Sequence, residues 1–209
     1  MDFQDSCFSF CQRIFERFSE ALEIDKTWFT SRHGPGSSSI FRLLWYPYVE
    51  NVEDGVDIRA GAHSDYGSIT LLFQLPGQPG LEILTPDGSW SAVPVGPRDA
   101  AGTVVNGGDV GSRALPILVN FGDLLEDWTG GLLKSTVHRV IFPKGRSVED
   151  RYSIAYFCHP VDDAELVPVP SKLVQEHAKR TGKGSTRNGR VLTAKDHLME
   201  RLAATYTVK

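Results

Sequence analysis

Residues 58–75 read IRAGAHSDYGSITLLFQL, and the reading of this stretch decides the fold. Two short β-type runs, IRAGAHS and SITLLFQL, stand on either side of a turn-like break around Asp65-Tyr66-Gly67. Working outward, the same texture holds from Ile40 to about Pro160. IFRLLWYPY, LEIL, WSAVPV, PILVNF, STVHRVIF and RYSIAYFC complete a set of strand-like runs, separated by breaks such as PGQPG, TPDGS and WTGG. Short strands in succession without intervening helices predict a mainly β fold: a sandwich, jelly roll or barrel. NFGDLLEDW has room for a single helical turn. The glycine-rich stretch around Gly102 to Gly111 reads as a surface insertion. Its glycines lack the strand-to-helix order of a phosphate loop.

The flanks differ in period. SCFSFCQRIFERFSEALEI repeats Phe10, Ile14, Phe18 and Leu22 at helical spacing, with Cys11, Phe15 and Ala21 beside them. An amphipathic helix of this kind must lie on something. TSRHGPGSSS then reads as a loop. After Pro160, EHAKRTGKGSTRNGR reads as an exposed loop, and TAKDHLMERLAATY as a closing helix with Thr193 at its N-cap. The expected layout is one catalytic domain: helix and loop over 1–39, the β core over 40–160, and a tail with a C-terminal helix over 161–209.

Bulk composition narrows the function. The 209 residues are 41% hydrophobic and 23% charged, with a formal net charge of -4. That balance speaks against a nucleic acid or an anionic membrane as partner. No apolar run has the length of a membrane span, and the start, MDFQDSCFSF, lacks the basic-then-apolar order of a signal peptide. A cytoplasmic location is the default. Cys7, Cys11 and Cys158 are too few for a disulfide framework. Cys7 and Cys11, four apart, read as small apolar residues of a buried helix face, with a redox pair as the other reading.

The chemistry lies in three places. In His63-Ser64-Asp65, residues two apart on an extended segment project to the same side, so an imidazole and a carboxylate converge. His138 in STVHRV is the candidate third ligand from a neighbouring strand. Two histidines and one carboxylate on one face of a metal leave the opposite face open, which suits iron(II); zinc would accept the same donors. Arg151 and Ser153 share a face of RYSIAYFC. A guanidinium fork beside a hydroxyl suits the end carboxylate of a small diacid. The competing reading pairs Arg151 with a surface acid, Asp150 or Glu149.

Taken together, GAHSDYGSITLLFQ, NFGDLLEDWTGGLLKSTVHRV and RYSIAYF resemble, in order, the motifs of the isopenicillin N synthase-like family of iron(II)- and 2-oxoglutarate-dependent oxygenases. RLLWYP resembles the family segment in which a tyrosine before proline helps hold the co-substrate; here that is Tyr46. The resemblance runs from about Ile40 to Pro160. It implies a double-stranded β-helix, a distorted jelly roll with flanking α-helices, and His63, Asp65 and His138 as metal ligands. It implies that 2-oxoglutarate binds through Arg151, Ser153 and Tyr46. Fe(II), 2-oxoglutarate and O2, with ascorbate as reductant, would then oxidise a small-molecule substrate by hydroxylation, desaturation or demethylation, releasing succinate and CO2.

Two departures stand out. Many members carry Asn two residues before the tyrosine, where this chain has Leu44. Members also carry a further N-terminal portion ahead of the first helix read here, and without it an open mouth and self-association are expected. Three other readings follow: an iron oxidase that does not consume 2-oxoglutarate, a truncated inactive relative with a binding role, and a zinc cupin-type isomerase. Trp28, Trp45, Trp90 and Trp128 read as packing, and Asp123 as a cap or turn residue. Phe73, Phe142 and Phe157 read equally as core or substrate lining. His33, His159, His177 and His197 have no carboxylate at ligand spacing, and His159 lies just beyond the Arg151 strand.

Overall fold

The computed structural model describes residues 2–53, 57–96, 115–143, 149–182 and 191–206. Each of the eight strand-like runs contains a strand: β1 (Ile40–Tyr46), β2 (Ile58–His63), β3 (Ile69–Gln74), β4 (Leu81–Leu84), β5 (Trp90–Ala92), β6 (Leu118–Phe121), β7 (His138–Ile141) and β8 (Arg151–Cys158). They pair antiparallel in two four-stranded sheets, ordered β1-β8-β3-β6 and β2-β7-β4-β5. The result is the double-stranded β-helix. Apart from the β4–β5 hairpin, consecutive strands alternate between sheets, so β2 belongs to one sheet and β3 to the other. The segment Ser64–Ser68 between them therefore passes from one sheet to the other.

The β1-β8-β3-β6 sheet works on both faces, and the period of two shows how. On β8, Arg151, Ser153, Ala155 and Phe157 line an internal cavity. The alternating Tyr156 and Cys158 join the main apolar core instead. On β3, Thr70 and Leu72 face the cavity, while Ile69 and Leu71 face that core. Helices cover the core side. α1 (Phe3–Ala21) is started by a capping box, in which the Asp2 carboxylate accepts from the Asp5 backbone N–H at 2.8 Å. Its buried residues are Cys7, Cys11, Phe15 and Ser19.

That face is rotated from the expected one. Phe10 is 38% exposed and Ala21 also faces outward, because Phe15 sits between Phe29 and His33, its ring 4.0 Å from the imidazole. Cys7, Cys11 and Cys158 are all free and buried, and burial pushes the Cys7 thiol up, as a small apolar core residue requires. At the other end of α1, Phe3 packs on Phe41 and Phe73, and beyond it Leu43 and Trp45 stand exposed on the outer sheet face.

The single helical turn becomes α2 (Asp123–Trp128), whose Leu124, Leu125 and Trp128 are buried. The loop expected at Glu176–Thr181 is instead the end of a helix, α3 (Lys172–Thr181). Of its residues only Val174 is buried, and Gly182 in the left-handed region (φ 69°) closes it. Residues 183–190 of that stretch, and the Gly102–Gly111 insertion, lie outside the described residues. α4 (Ala194–Tyr206) is capped as expected: Thr193 Oγ1 accepts from the Asp196 N–H at 3.1 Å. Among the described residues no helix is long and apolar enough to cross a membrane.

Candidate metal and co-substrate site

His63 ends β2, His138 begins β7, and the two are register partners across the antiparallel ladder. Their ring centroids lie 4.4 Å apart. In both, Nδ1 bonds the carbonyl two residues earlier: Gly61 at 2.7 Å for His63 and Thr136 at 2.9 Å for His138. A carbonyl only accepts, so Nδ1 carries the proton and Nε2 keeps its lone pair for a metal. Asp65 follows at the sheet crossing, 7% exposed, with Oδ1 3.7 Å from His138 Nε2. One donor atom from each of His63, Asp65 and His138 falls within 4.8 Å of the other two. Two imidazole nitrogens and a carboxylate oxygen this close fit a single divalent transition metal.

The turn carrying Asp65 is held from both sides. The Asp123 N–H donates to the Asp65 carbonyl at 2.7 Å, and the Ser68 N–H to the Cys158 carbonyl at 2.9 Å. Asp65 Oδ2 accepts from Thr70 Oγ1 at 2.7 Å and from Asn120 Nδ2 at 2.8 Å. Neither donor was singled out in the sequence, although both stand within the quoted motif stretches. Asp123, read as a cap or turn residue, is the first residue of α2. Its carboxylate also accepts from Ser64 Oγ at 3.0 Å and pairs with Arg201 of α4 at 2.5 Å.

At the other end of the cavity Arg151 is 2% exposed. It donates to Gln74 Oε1 at 2.9 Å and to Ser153 Oγ at 3.4 Å, and its guanidinium lies 5.3 Å from the centre of the Tyr46 ring, its register partner on β1. Its Nε has no partner among the described residues. Burial lowers its pKa from the usual guanidinium range, and the Tyr46 phenol opposes that shift. Among the described residues no acid pairs with Arg151. Asp150 accepts instead from the Tyr48 N–H at 2.7 Å and the Tyr152 hydroxyl at 3.0 Å, and Arg59 donates to the Glu149 carbonyl.

One cavity of about 90 Å³ touches His63, Asp65, His138, Tyr46, Arg151 and Ser153 together. Leu44, where relatives often carry Asn, faces the same space, as does Phe157. Phe73 packs against the core on the helix side, and Phe142 lies under Arg59. His159 is buried behind the turn, where a Cβ on Gly67 would meet its Nε2 at 2.9 Å. His197, with no carboxylate at ligand spacing in the sequence, meets Asp127 of α2 at 3.2 Å. Trp128 is core, whereas Trp45 is 63% exposed rather than packed.

Fold and donor set are those of a jelly-roll protein with a metal-binding cluster inside it, and the comparisons give the family. The model of the 2OG-Fe(II) oxygenase superfamily matches residues 37–160, and the chain belongs to that family. A UPF0676 protein of Schizosaccharomyces pombe is 36% identical over 196 residues, covering 91% of this chain and 54% of its own length. A 2-oxoglutarate-dependent dioxygenase of Aspergillus rugulosus is 32% identical, covering 80% and 48%. The full-length Neurospora crassa protein crystallised with alpha-KG superposes with a TM-score of 0.73 at 32% identity, over 98% of this chain and 55% of that one. The same protein has also been solved with alpha-KG and thymine. This chain spans about half the length of the curated relatives it matches.

Proposed function

We propose that the chain carries the catalytic centre of an iron(II)- and 2-oxoglutarate-dependent dioxygenase acting on a small organic metabolite. His63, Asp65 and His138 hold the iron through Nε2, a carboxylate oxygen and Nε2. The observation that carries the reading is the joining of two groups in one cavity. A three-donor metal cluster lies in the same space as a buried guanidinium that no carboxylate pairs with among the described residues. A buried, unpaired cation is costly, and a dicarboxylate bridging it to the metal would remove that cost.

On this reading Arg151 and Ser153 take the distal carboxylate of 2-oxoglutarate, and Tyr46 supports the guanidinium from the neighbouring strand. Bound iron with 2-oxoglutarate and O2 supplies the oxidising power, at the expense of succinate and CO2 release. The protein fixes the co-substrate between its two ends, keeps apolar walls such as Leu72, Leu81 and Val140 around it, and orients the substrate C–H. The relatives and the thymine complex support a small molecule as substrate. Hydroxylation, desaturation and demethylation all fit this site.

The test is anaerobic. Iron(II) plus 2-oxoglutarate should give a weak visible charge-transfer band, and His138→Ala should abolish it. Arg151→Ala should keep the metal and weaken 2-oxoglutarate by roughly thirty-fold or more, since truncating one partner of a desolvated charge pair costs about 2–5 kcal/mol. An unchanged band in the first variant removes the metal assignment. Normal 2-oxoglutarate affinity in the second removes the anchor, and turnover without 2-oxoglutarate consumption would make the chain an oxidase.

A further inference from the structure

Thr70 and Asn120 stand opposite one another as register partners on β3 and β6. Both direct a donor at the same atom, Asp65 Oδ2, at 2.7 and 2.8 Å. A carboxylate oxygen has two lone-pair directions, so two short hydrogen bonds occupy Oδ2 fully. The other oxygen, Oδ1, is the one turned toward His138 Nε2. The carboxylate thus offers one free oxygen to the cluster and keeps the second engaged with the β1-β8-β3-β6 sheet.

We propose that Thr70 and Asn120 are positioning residues that hold Asp65 as a one-oxygen ligand and thereby keep a coordination position open for O2. This rests on the metal reading above. Three protein donors and a two-point co-substrate fill five positions of an octahedral metal and leave the sixth. A carboxylate free to swing and bind through both oxygens would fill that sixth position itself. The two side chains therefore matter for what they prevent. Neither belongs to the three-donor cluster, though both line the cavity beside it, and the effect proposed acts through the ligand's mode of binding. It is a particular case of outer partners setting how a ligand meets its metal.

The experiment uses nitric oxide as an O2 surrogate on the anaerobic chain loaded with iron(II) and 2-oxoglutarate, read by electron paramagnetic resonance. Thr70→Val removes one donor with little change of shape, Asn120→Ala removes the other, and Thr70→Ser restores the hydroxyl. We expect each donor-deleting variant to need at least tenfold more nitric oxide for the same signal. That loss should exceed any loss of iron(II) affinity, measured without 2-oxoglutarate, by at least about tenfold, because the outer partners act on the ligand's mode of binding as well as on its hold on the metal, and Thr70→Ser should behave as unmodified. Parallel loss of iron affinity and nitric oxide binding would mean that the two residues merely brace the turn, and would overturn the proposal. So would unchanged nitric oxide binding. If Asn120→Ala fails to fold, Thr70→Val against Thr70→Ser decides. An unmodified chain that binds no iron would instead overturn the underlying metal assignment.

Discussion

Position 122 has no room for a side chain. A Cβ there would stand 2.2 Å from the Gly67 carbonyl oxygen and 3.0 Å from that of Asp65, both fixed backbone atoms. The close approach lets the Gly122 N–H reach the Ser68 carbonyl at 3.0 Å and the Asp123 N–H reach that of Asp65. The turn bearing Asp65, a proposed metal ligand, is thus pressed against the start of α2, with the contact set by a missing methyl group. Gly122→Ala must push the two segments apart. Overpacking of this kind costs about 1–3 kcal/mol, and the backbone cannot yield as a flexible side chain would. A fall in the thermal midpoint of roughly 2–4 °C per kcal/mol is expected, together with weaker iron(II) binding because Asp65 moves with its backbone. A variant with unchanged midpoint and metal affinity would show that the turn has slack.

At the scale of elements, α4 grips the ligand segment from behind. Side chains alternate along 63–66: His63 and Asp65 face the cavity, while Ser64 and Tyr66 face the helix. Arg201 pairs with Asp123 and donates to Ser64 Oγ at 3.4 Å, and Tyr66 shares a 2.5 Å hydrogen bond with Thr205. Because the Arg201–Asp123 pair is only partly buried, its loss should lower overall stability by about 1 kcal/mol or less. Its effect on the metal should be larger: Arg201 holds Ser64 and Asp123, which flank the Asp65 turn without bonding a donor side chain, so the low end of the roughly 10–100-fold that direct outer partners give is expected. Arg201→Ala is therefore expected to bind iron(II) about tenfold more weakly while melting within a few degrees of the unmodified chain. A large drop in melting temperature with full metal affinity would make α4 a stabilising tail alone. Nothing in the sequence announced this grip, although the alternation of Ser64 and Tyr66 with the ligands did place them on the opposite face. The strands were legible because short β-type runs between turn residues survive any tertiary context. α3 was not, because its second half, EHAKRT, is polar and runs directly into the Gly-rich stretch that follows, so it reads as part of that loop. The cluster of His63, Asp65 and His138 could be approached from local spacing and motif order. Thr70 and Asn120 could not, because their meeting depends on the register of β3 with β6, fifty positions apart and set by the sheet.

For the whole molecule, the core that unites helices and sheet contains imidazoles that must stay neutral. His33 is 1% exposed; its Nδ1 bonds the Phe29 carbonyl at 2.8 Å and its Nε2 meets Ser68 Oγ at 2.9 Å. Burial lowers its pKa to about 4, with His159 and Arg32 acting in the same direction and the Phe29 bond opposing. Burial likewise lowers His159 to about 4, helped by His197 and opposed by Asp65 and Asp162. In the unfolded chain both titrate near 6.5. Above that value neither state binds the proton, and the fold loses nothing. As pH falls below about 6.5 the unfolded chain takes up protons that the folded chain refuses until about pH 4, so stability declines through that window and levels off beneath it. For His33 alone the full loss is on the order of 3 kcal/mol, at about 1.36 kcal/mol per pKa unit. His33→Asn keeps a donor toward the Phe29 carbonyl and cannot titrate. Urea unfolding at pH 7.5, 6 and 5, with a chelator present to silence the metal site, should show this variant less stable at pH 7.5 but with a flatter decline toward pH 5. Parallel declines in the two proteins would assign the acid sensitivity to other groups and leave His33 as packing alone.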